Sequence, residues 1–384
     1  MSQFEASGGA VHYQLDGPEG GPALVLLNAL GTTIDLWELQ LPALCRYFRV
    51  LRYDYPGHGN SAPGPGPRSV ESLGDDLCAL LDGLGINRAH FCGLSLGGMV
   101  GLSIAARFPG RVERLVAACT SATMSASQYW RDRAARVRAE GLGPLRDQLL
   151  SRWFSPGFVS AEPAVVARFG DQLLAVDPNS YAAACEALGA VDLTAQLGSI
   201  EAPTLILAGA LDQATPPGRG LELQAAIPRA GLRVLAEAAH LANVEQPASF
   251  VGAMLGQLTG GQWARGLATR RTVLGDQHVD RAMANAAPFS TDFQELITRY
   301  AWGEVWARPG LDRITRRCIT IALLVSLGRW EELEMHVRAA AAEDLSPDQI
   351  GEILLHTAIY CGLPAANSAF DHARRVLYPE APQA

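Results

Sequence analysis

Gly93-Leu94-Ser95-Leu96-Gly97 decides how the rest of the chain is read. It follows the apolar run Ala89–Cys92 and opens onto the helical text Gly98–Phe108, so the serine falls in a sharp strand-to-helix turn. Such a turn strains the backbone and leaves no room for neighbouring side chains, which is why glycines flank it. It lifts the hydroxyl to the C-terminal edge of a sheet and aims the next backbone N–H at a developing oxyanion. Alone, the spacing is a moderate signal, because an ordinary Gly-rich turn reads the same way.

Working outward, Ala23–Leu27, Arg49–Tyr53, Leu115–Cys119 and Thr204–Ala208 read as buried strands, with helical text such as Ser72–Leu84 between them. The alternation predicts a parallel α/β sheet. Between about residues 124 and 197 the strand signal lapses into Arg-, Ala- and Leu-rich helical text, as expected of an inserted cap. The run Ala62–Pro67 reads as a surface loop. Residues 1–258 therefore form one α/β domain. Leu258–Gly266 (LTGGQWARG) reads as a hinge. Beyond it Arg281–Asn285, Thr291–Trp306, Arg313–Leu327, Glu331–Glu343, Pro347–Cys361 and Ala365–Leu377 all read as helices, giving an all-α domain over 259–384. Ser346-Pro347 supplies an N-cap followed by proline at the first helical position.

The partners of Ser95 follow in order. Thr204–Ala208 runs into Gly209-Ala210-Leu211-Asp212, which puts a carboxylate just past a strand; the strand-like Leu232–Leu235 leads to His240. A single strand-end Asp is more often a helix cap, and a single His more often a satisfied surface residue. Three such coincidences in the order Ser, Asp, His point to a nucleophilic triad of the α/β-hydrolase type. His240 is then the general base for Ser95, and Asp212 holds the imidazole tautomer. The backbone N–H groups of Leu30, in the loop after Ala23–Leu27, and of Leu96 are expected to form the oxyanion hole. Asp54-Tyr55-Pro56-Gly57-His58-Gly59 is a further α/β-hydrolase landmark, with His58 read as structural.

These residues carry a specific resemblance. Asn28-Ala29-Leu30-Gly31-Thr32-Thr33, Gly93–Gly98, Asp212-Gln213-Ala214-Thr215-Pro216-Pro217 and His240–Gln246 resemble the 3-oxoadipate enol-lactonases of the β-ketoadipate pathway. The resemblance implies hydrolysis of a small lactone bearing carboxylates. Such a substrate needs a cation away from the nucleophile. In the cap, Trp130 and Arg133 are the candidates to cover and bind it, against the bland alternative of a solvated helix face.

In the second domain Glu332 and His336 stand four apart and share a helix face by spacing. On spacing alone a surface pair is the stronger reading, with His278 a helix cap. Arg270–Ala373 nevertheless is similar to the 4-carboxymuconolactone decarboxylases, on Arg271, Val273–Asp276, His278–Arg281, Tyr300–Gly303, Trp306–Leu311, His336 and Tyr360–Asn367. The resemblance implies loss of CO2 to leave a dienolate. His278 and His336 would donate protons or stabilise the oxyanion, Glu332 would orient His336, and Arg271 and Arg281 would clamp carboxylates. It also implies a homo-oligomer built through this domain. Related alkylhydroperoxidase-like proteins use a CxxC dithiol. Here Arg329-Trp330-Glu331-Glu332 stands in that region, which argues against peroxide reduction.

Composition fits this reading. All 31 basic residues are arginine, which excludes lysine Schiff-base, pyridoxal phosphate and P-loop lysine chemistry. The seven cysteines are odd in number and widely spaced, so a dithiol or thiolate metal centre is not expected. The formal charge of −8 argues against nucleic acid as a partner. Neither a membrane span nor an export signal is legible, and a cytoplasmic enzyme without cofactor or metal is expected. Two rivals remain: a general carboxylesterase whose helical domain only assembles the protein, and a small-molecule sensor on a degenerate hydrolase.

Overall fold

Eight strands build one sheet in the order β1-β2-β4-β3-β5-β6-β7-β8. They are β1 (Ser2–Ala6), β2 (Gly9–Asp16), β3 (Ala23–Leu27), β4 (Arg49–Tyr53), β5 (Ala89–Leu94), β6 (Val112–Ala118), β7 (Thr204–Gly209) and β8 (Ala230–Leu235). From β4 onward neighbouring strands run parallel, while β1 pairs with β2 and β2 with β4 in antiparallel fashion. The first hairpin escaped the sequence reading. Its strands mix polar with apolar residues, and β1 lies at the sheet edge, where a continuous apolar run is not required. The central strands are the opposite case: every residue of β5 is buried. This computed structural model describes residues 2–6, 9–64, 69–124, 127–284, 288–343 and 345–379. Residues 65–67 of the expected surface loop, and Asn285, lie outside them.

The connections from β4 to β6 carry α1 (Val70–Gly83), opened by a Ser69/Ser72 capping box, and α2 (Leu96–Arg107). Between β6 and β7 stand five helices, α3 (Ser127–Glu140), α4 (Arg146–Trp153), α5 (Pro156–Ala161), α6 (Pro163–Leu174) and α7 (Pro178–Ala190). The cap is therefore helical where the strand signal lapsed. Then come α8 (Pro217–Ala226), the short α9 (Ala242–Glu245) and α10 (Pro247–Leu258). Registers Leu27↔Gly93 and Ala118↔Leu94 bring the ends of β3, β5 and β6 together at one edge of the sheet, where the site lies.

Contacts divide the chain into two units, Met1–Leu258 and Thr259–Ala384. The expected hinge is shorter than LTGGQWARG suggests. Gly260 and Gly261 have φ of 72° and 70°, and α11 (Gln262–Leu274) begins directly after them. Gly266 is a packing residue of that helix: a Cβ there would lie 1.9 Å from the Thr298 carbonyl oxygen. Gly303 similarly meets the Gln262 carbonyl, so two helices touch backbone to backbone. The partner is a π-helical segment, Ile297–Trp306, continuing α13 (Thr291–Leu296); α12 (Asp276–Ala284) precedes it. The unit is completed by α14 (Arg313–Ser326), α15 (Trp330–Glu343), α16 (Pro347–Cys361) and α17 (Leu363–Leu377). Among the described residues this unit is helical. Its apolar cores are two small clusters, one around Ile321, Val337 and Ile350 and the other around Val273, Val279 and Trp302.

Candidate functional site

Ser95 has φ 57° and ψ −116°, a left-handed conformation that a non-glycine residue adopts at a cost of about 1–3 kcal/mol. The surroundings hold it there. Its N–H donates to the Ala118 carbonyl at 2.9 Å, and Thr120 Oγ1 donates to the Ser95 carbonyl at 2.7 Å. A Cβ on Gly93 would lie 2.1 Å from the Gly97 oxygen, and one on Gly97 2.3 Å from the Leu27 oxygen. Both flanking glycines are thus required sterically.

His240 Nδ1 bonds Asp212 Oδ2 at 2.8 Å, with both side chains buried. Asp212 also accepts from the backbone N–H groups of Ala214 (2.8 Å) and Thr215 (3.0 Å) and from Thr215 Oγ1 (2.7 Å). Burial alone pushes this carboxyl up. The adjacent His240 charge, its hydrogen bond and the Thr215 donors outweigh that and leave it below the usual carboxylate range. Asp212 is therefore an anion held in place against the His240 imidazole. Ser95 and His240 line one cavity of about 350 Å³, together with Leu30, Trp130 and Arg133.

The loop after β3, which carries Leu30, is held by side-chain hydrogen bonds from elsewhere in the fold. His58 Nδ1 donates to the Pro56 carbonyl (3.1 Å), and its Nε2 accepts from the Gly31 N–H (3.2 Å). Burial pushes the His58 imidazole down, which favours this neutral tautomer. Asn28 donates to the Tyr53 carbonyl and accepts from Trp37 Nε1, which fixes the strand end. The Leu30 N–H bonds nothing among the described residues. Leu96 is the first residue of α2, where an N–H has no acceptor within the helix.

Trp130 and Arg133 both lie in the cavity wall. Arg133 Nη2 bonds the Tyr181 hydroxyl, and its guanidinium lies 5.1 Å from the Trp130 ring centre. It meets no carboxylate among the described residues. Two positioning residues escaped the sequence reading. Arg152 lines the cavity and donates to the Tyr129 hydroxyl at 3.1 Å. Glu245 accepts from the N–H groups of Ala239 (2.7 Å) and Ser155, tying the segment before His240 to the cap. A buried glutamate five residues after the histidine was the available signal.

In the C-terminal unit the structure separates Glu332 from His336. Glu332 is exposed and makes no hydrogen bond to His336, which is 6% exposed and stacks on Trp306 with ring centres 6.2 Å apart. Four residues of helix bring two Cα atoms to one side, but His336 turns inward and Glu332 stays in water. The acid–imidazole pair this helix does form is Glu334 with His372, at 2.7 Å. Arg271 is also corrected: its guanidinium faces solvent and is taken up by Asp276 (2.9 Å) and Asp280 (2.5 Å). Arg281 is exposed, with Nε on the Gln277 carbonyl. His278 is half-buried. Burial and the charges of Arg270, Arg281 and Arg338 push its imidazole down. Burial, then Arg317 and His278, bring His336 down to about 4. Arg317 is wholly buried and donates to the Val273 carbonyl at 2.9 Å. It heads the apolar stripe Arg317, Ile321, Val325, a position that could have drawn notice.

Residues 22–247 match the α/β-hydrolase fold family. The chain belongs to that family. Residues 291–375 match the carboxymuconolactone decarboxylase family, and the C-terminal unit belongs there. The N-terminal part is 39% identical over 241 residues to 3-oxoadipate enol-lactonase 2 of Acinetobacter baylyi, covering 63% of this chain and 90% of that one. The C-terminal part is 48% identical over 115 residues to 4-carboxymuconolactone decarboxylase of the same organism, covering 30% of this chain and 86% of that one. A crystal structure of the enol-lactonase from Burkholderia xenovorans LB400 superposes with a TM-score of 0.66 at 39% identity, covering 67% of this chain and all of that one. Among the described residues, no helix is long and apolar enough to cross a membrane, and no three metal-ligating side chains are grouped to hold an ion.

Proposed function

We propose that the chain is a bifunctional enzyme of the β-ketoadipate pathway. The C-terminal unit decarboxylates 4-carboxymuconolactone, and the N-terminal unit hydrolyses the resulting 3-oxoadipate enol-lactone to 3-oxoadipate. The observation that carries the reading is the convergence of Ser95, His240 and the anionic Asp212 on a cavity whose wall bears Arg133. A unit related to 4-carboxymuconolactone decarboxylases joins it in the same chain.

Ser95 Oγ attacks the lactone carbonyl as His240 takes its proton, and the N–H groups of Leu30 and Leu96 receive the oxyanion. The ring oxygen leaves as an enolate that becomes a ketone, so the leaving group demands little acid catalysis. Water, activated by His240, then hydrolyses the acyl-Ser95 ester. Arg133 binds the carboxylate that remains on the chain, against the face of Trp130. In the C-terminal unit the carboxylate that departs sits on a carbon conjugated to the lactone carbonyl, so the electrons pass into a dienolate. His278 and His336 face this chemistry as imidazoles held neutral by burial and, after it, by neighbouring charged groups. A bound dianion opposes those charges and restores their capacity to carry a proton.

The exposed apolar side chains of the C-terminal unit support assembly of copies through it. Ile319, Leu323 and Leu327 form an exposed stripe along α14. The cysteines described are all free thiols, which suits a reducing compartment and a cytoplasmic enzyme.

The test follows CO2 release and 3-oxoadipate formation from 4-carboxymuconolactone in the wild type and in Ser95→Ala. The variant is expected to release CO2 at the wild-type rate and to lose enzymatic 3-oxoadipate formation by about 10³-fold or more. If the wild type releases no CO2, the decarboxylase reading fails and the protein is a carboxylesterase with an assembly domain.

A further inference from the structure

Arg270 carries a buried charge that no carboxylate among the described residues accounts for. It is 5% exposed, on the inner face of α11 with Gly266, Val273 and Leu274. Nη1 donates to Thr298 Oγ1 and Nη2 to Gln294 Oε1, both at 3.0 Å, and Nε has no acceptor. Both acceptors are neutral, and no Asp or Glu among the described residues pairs with it. The groups around it add positive charge. Arg270, Arg281 and Arg338 all act on His278, and His278 and Arg317 act on His336, whose buried Nδ1 also lacks a partner.

A guanidinium taken out of water needs an anion, and removing either member of such a pair is what makes a buried charge costly. Arg271, one residue on, already has two carboxylates at the surface; Arg270 has none among the described residues. We infer that Arg270 receives a substrate carboxylate, and that the ligand of this unit is a small polycarboxylate seated between Arg270, His278 and His336. This rests on the decarboxylase reading for its chemistry and on the buried, unmatched guanidinium for its place. Nε–H and a remaining Nη proton offer the side-on, two-point contact that a carboxylate accepts.

The experiment uses the full chain in a Ser95→Ala, Arg133→Gln background, which silences the N-terminal cavity. Tricarballylate, an unreactive tricarboxylate, is titrated by calorimetry into this protein and into versions that also carry Arg270→Gln or Arg270→Lys. The Michaelis constant for CO2 release from 4-carboxymuconolactone is measured in parallel. Tricarballylate is expected to bind the background protein, at least tenfold more weakly to Arg270→Gln, and at an intermediate level to Arg270→Lys. KM is expected to rise at least tenfold in Arg270→Gln. Without anion, the glutamine variant should melt no lower than the background, because an unmatched charge has gone; a structural arginine would lower the melting temperature. Binding lost in Arg270→Gln while no version releases CO2 keeps the carboxylate site and sinks the decarboxylase reading. Failure of the background protein to bind tricarballylate overturns the inference, as does binding and KM in Arg270→Gln within twofold of it. Unfolding of both Arg270 variants overturns it too.

Discussion

The two units treat buried charge in opposite ways. In the N-terminal unit each buried acid near the nucleophile is already satisfied: Asp212 by His240, Thr215 and a backbone turn, Glu245 by two backbone N–H groups. The C-terminal unit buries Arg270 without a carboxylate and holds two imidazoles among cations. The first arrangement is finished before substrate arrives and needs only to be bound. The second is completed by what it binds. Their surfaces differ as well. Among the described residues, sixteen large apolar side chains of the C-terminal unit are exposed against seven in an N-terminal unit about twice as long, so the smaller unit has the larger face left to cover.

The largest effect is expected from removing the charge that completes the first site. Asp212→Asn keeps the shape and the Thr215 contacts but leaves His240 with the wrong tautomer and no counter-charge. Enol-lactone hydrolysis is expected to fall by about 10⁴-fold, measured at saturating enol-lactone, with CO2 release unchanged. A fall of less than tenfold would show that the preformed pair is not what drives the chemistry.

The difference between the sites also explains what the sequence could reveal. Ser95, Asp212 and His240 each follow a strand of a parallel sheet, so the order of strands fixes where their side chains converge, and local spelling suffices. The strand ends of β3 and β4 were legible to the residue because both faces are buried; β3 is an unbroken apolar run, and β4 keeps an apolar centre although Arg52 lies within it. β1 and β2 were missed for the converse reason. At the second site the deciding residues come from α11, α12, the π-helical segment and α15, whose packing no local pattern states. The resemblance pointed to Arg271, one residue beyond Arg270, and had Glu332 orient His336. Adjacent helical residues differ by about 100° in direction, and that difference separates a solvated ion pair from a buried cation.

Ile319→Arg with Leu323→Arg places two charges on the exposed stripe of α14 while leaving its buried face, Arg317, Ile321 and Val325, intact. The protein is expected to pass from an oligomer to a smaller species by sedimentation or light scattering, with hydrolysis by the N-terminal unit within about twofold of the wild type. An unchanged mass would mean that this face is not where copies meet.

The smallest effect is on stability, and its sign follows from His336. The imidazole sits at about 4 in the fold, against about 6.5 in an unfolded chain. Between those values the unfolded chain takes up a proton that the folded unit refuses, so stability falls as the pH drops from 6.5 towards 4 and levels off below. The loss is of order 1–3 kcal/mol. His90 in the N-terminal unit is also brought down to about 4, chiefly by burial, and gives a dependence of the same sign there. Substitution separates the two: His336→Asn should flatten the pH dependence of the C-terminal transition alone, read by denaturant melts at pH 7 and pH 5. A saturating polycarboxylate should flatten it as well, because an anion beside His336 raises the folded-state value back towards the ordinary one. If His336→Asn flattens the curve and the polycarboxylate does not, the imidazole is buried for packing and stands apart from the anion.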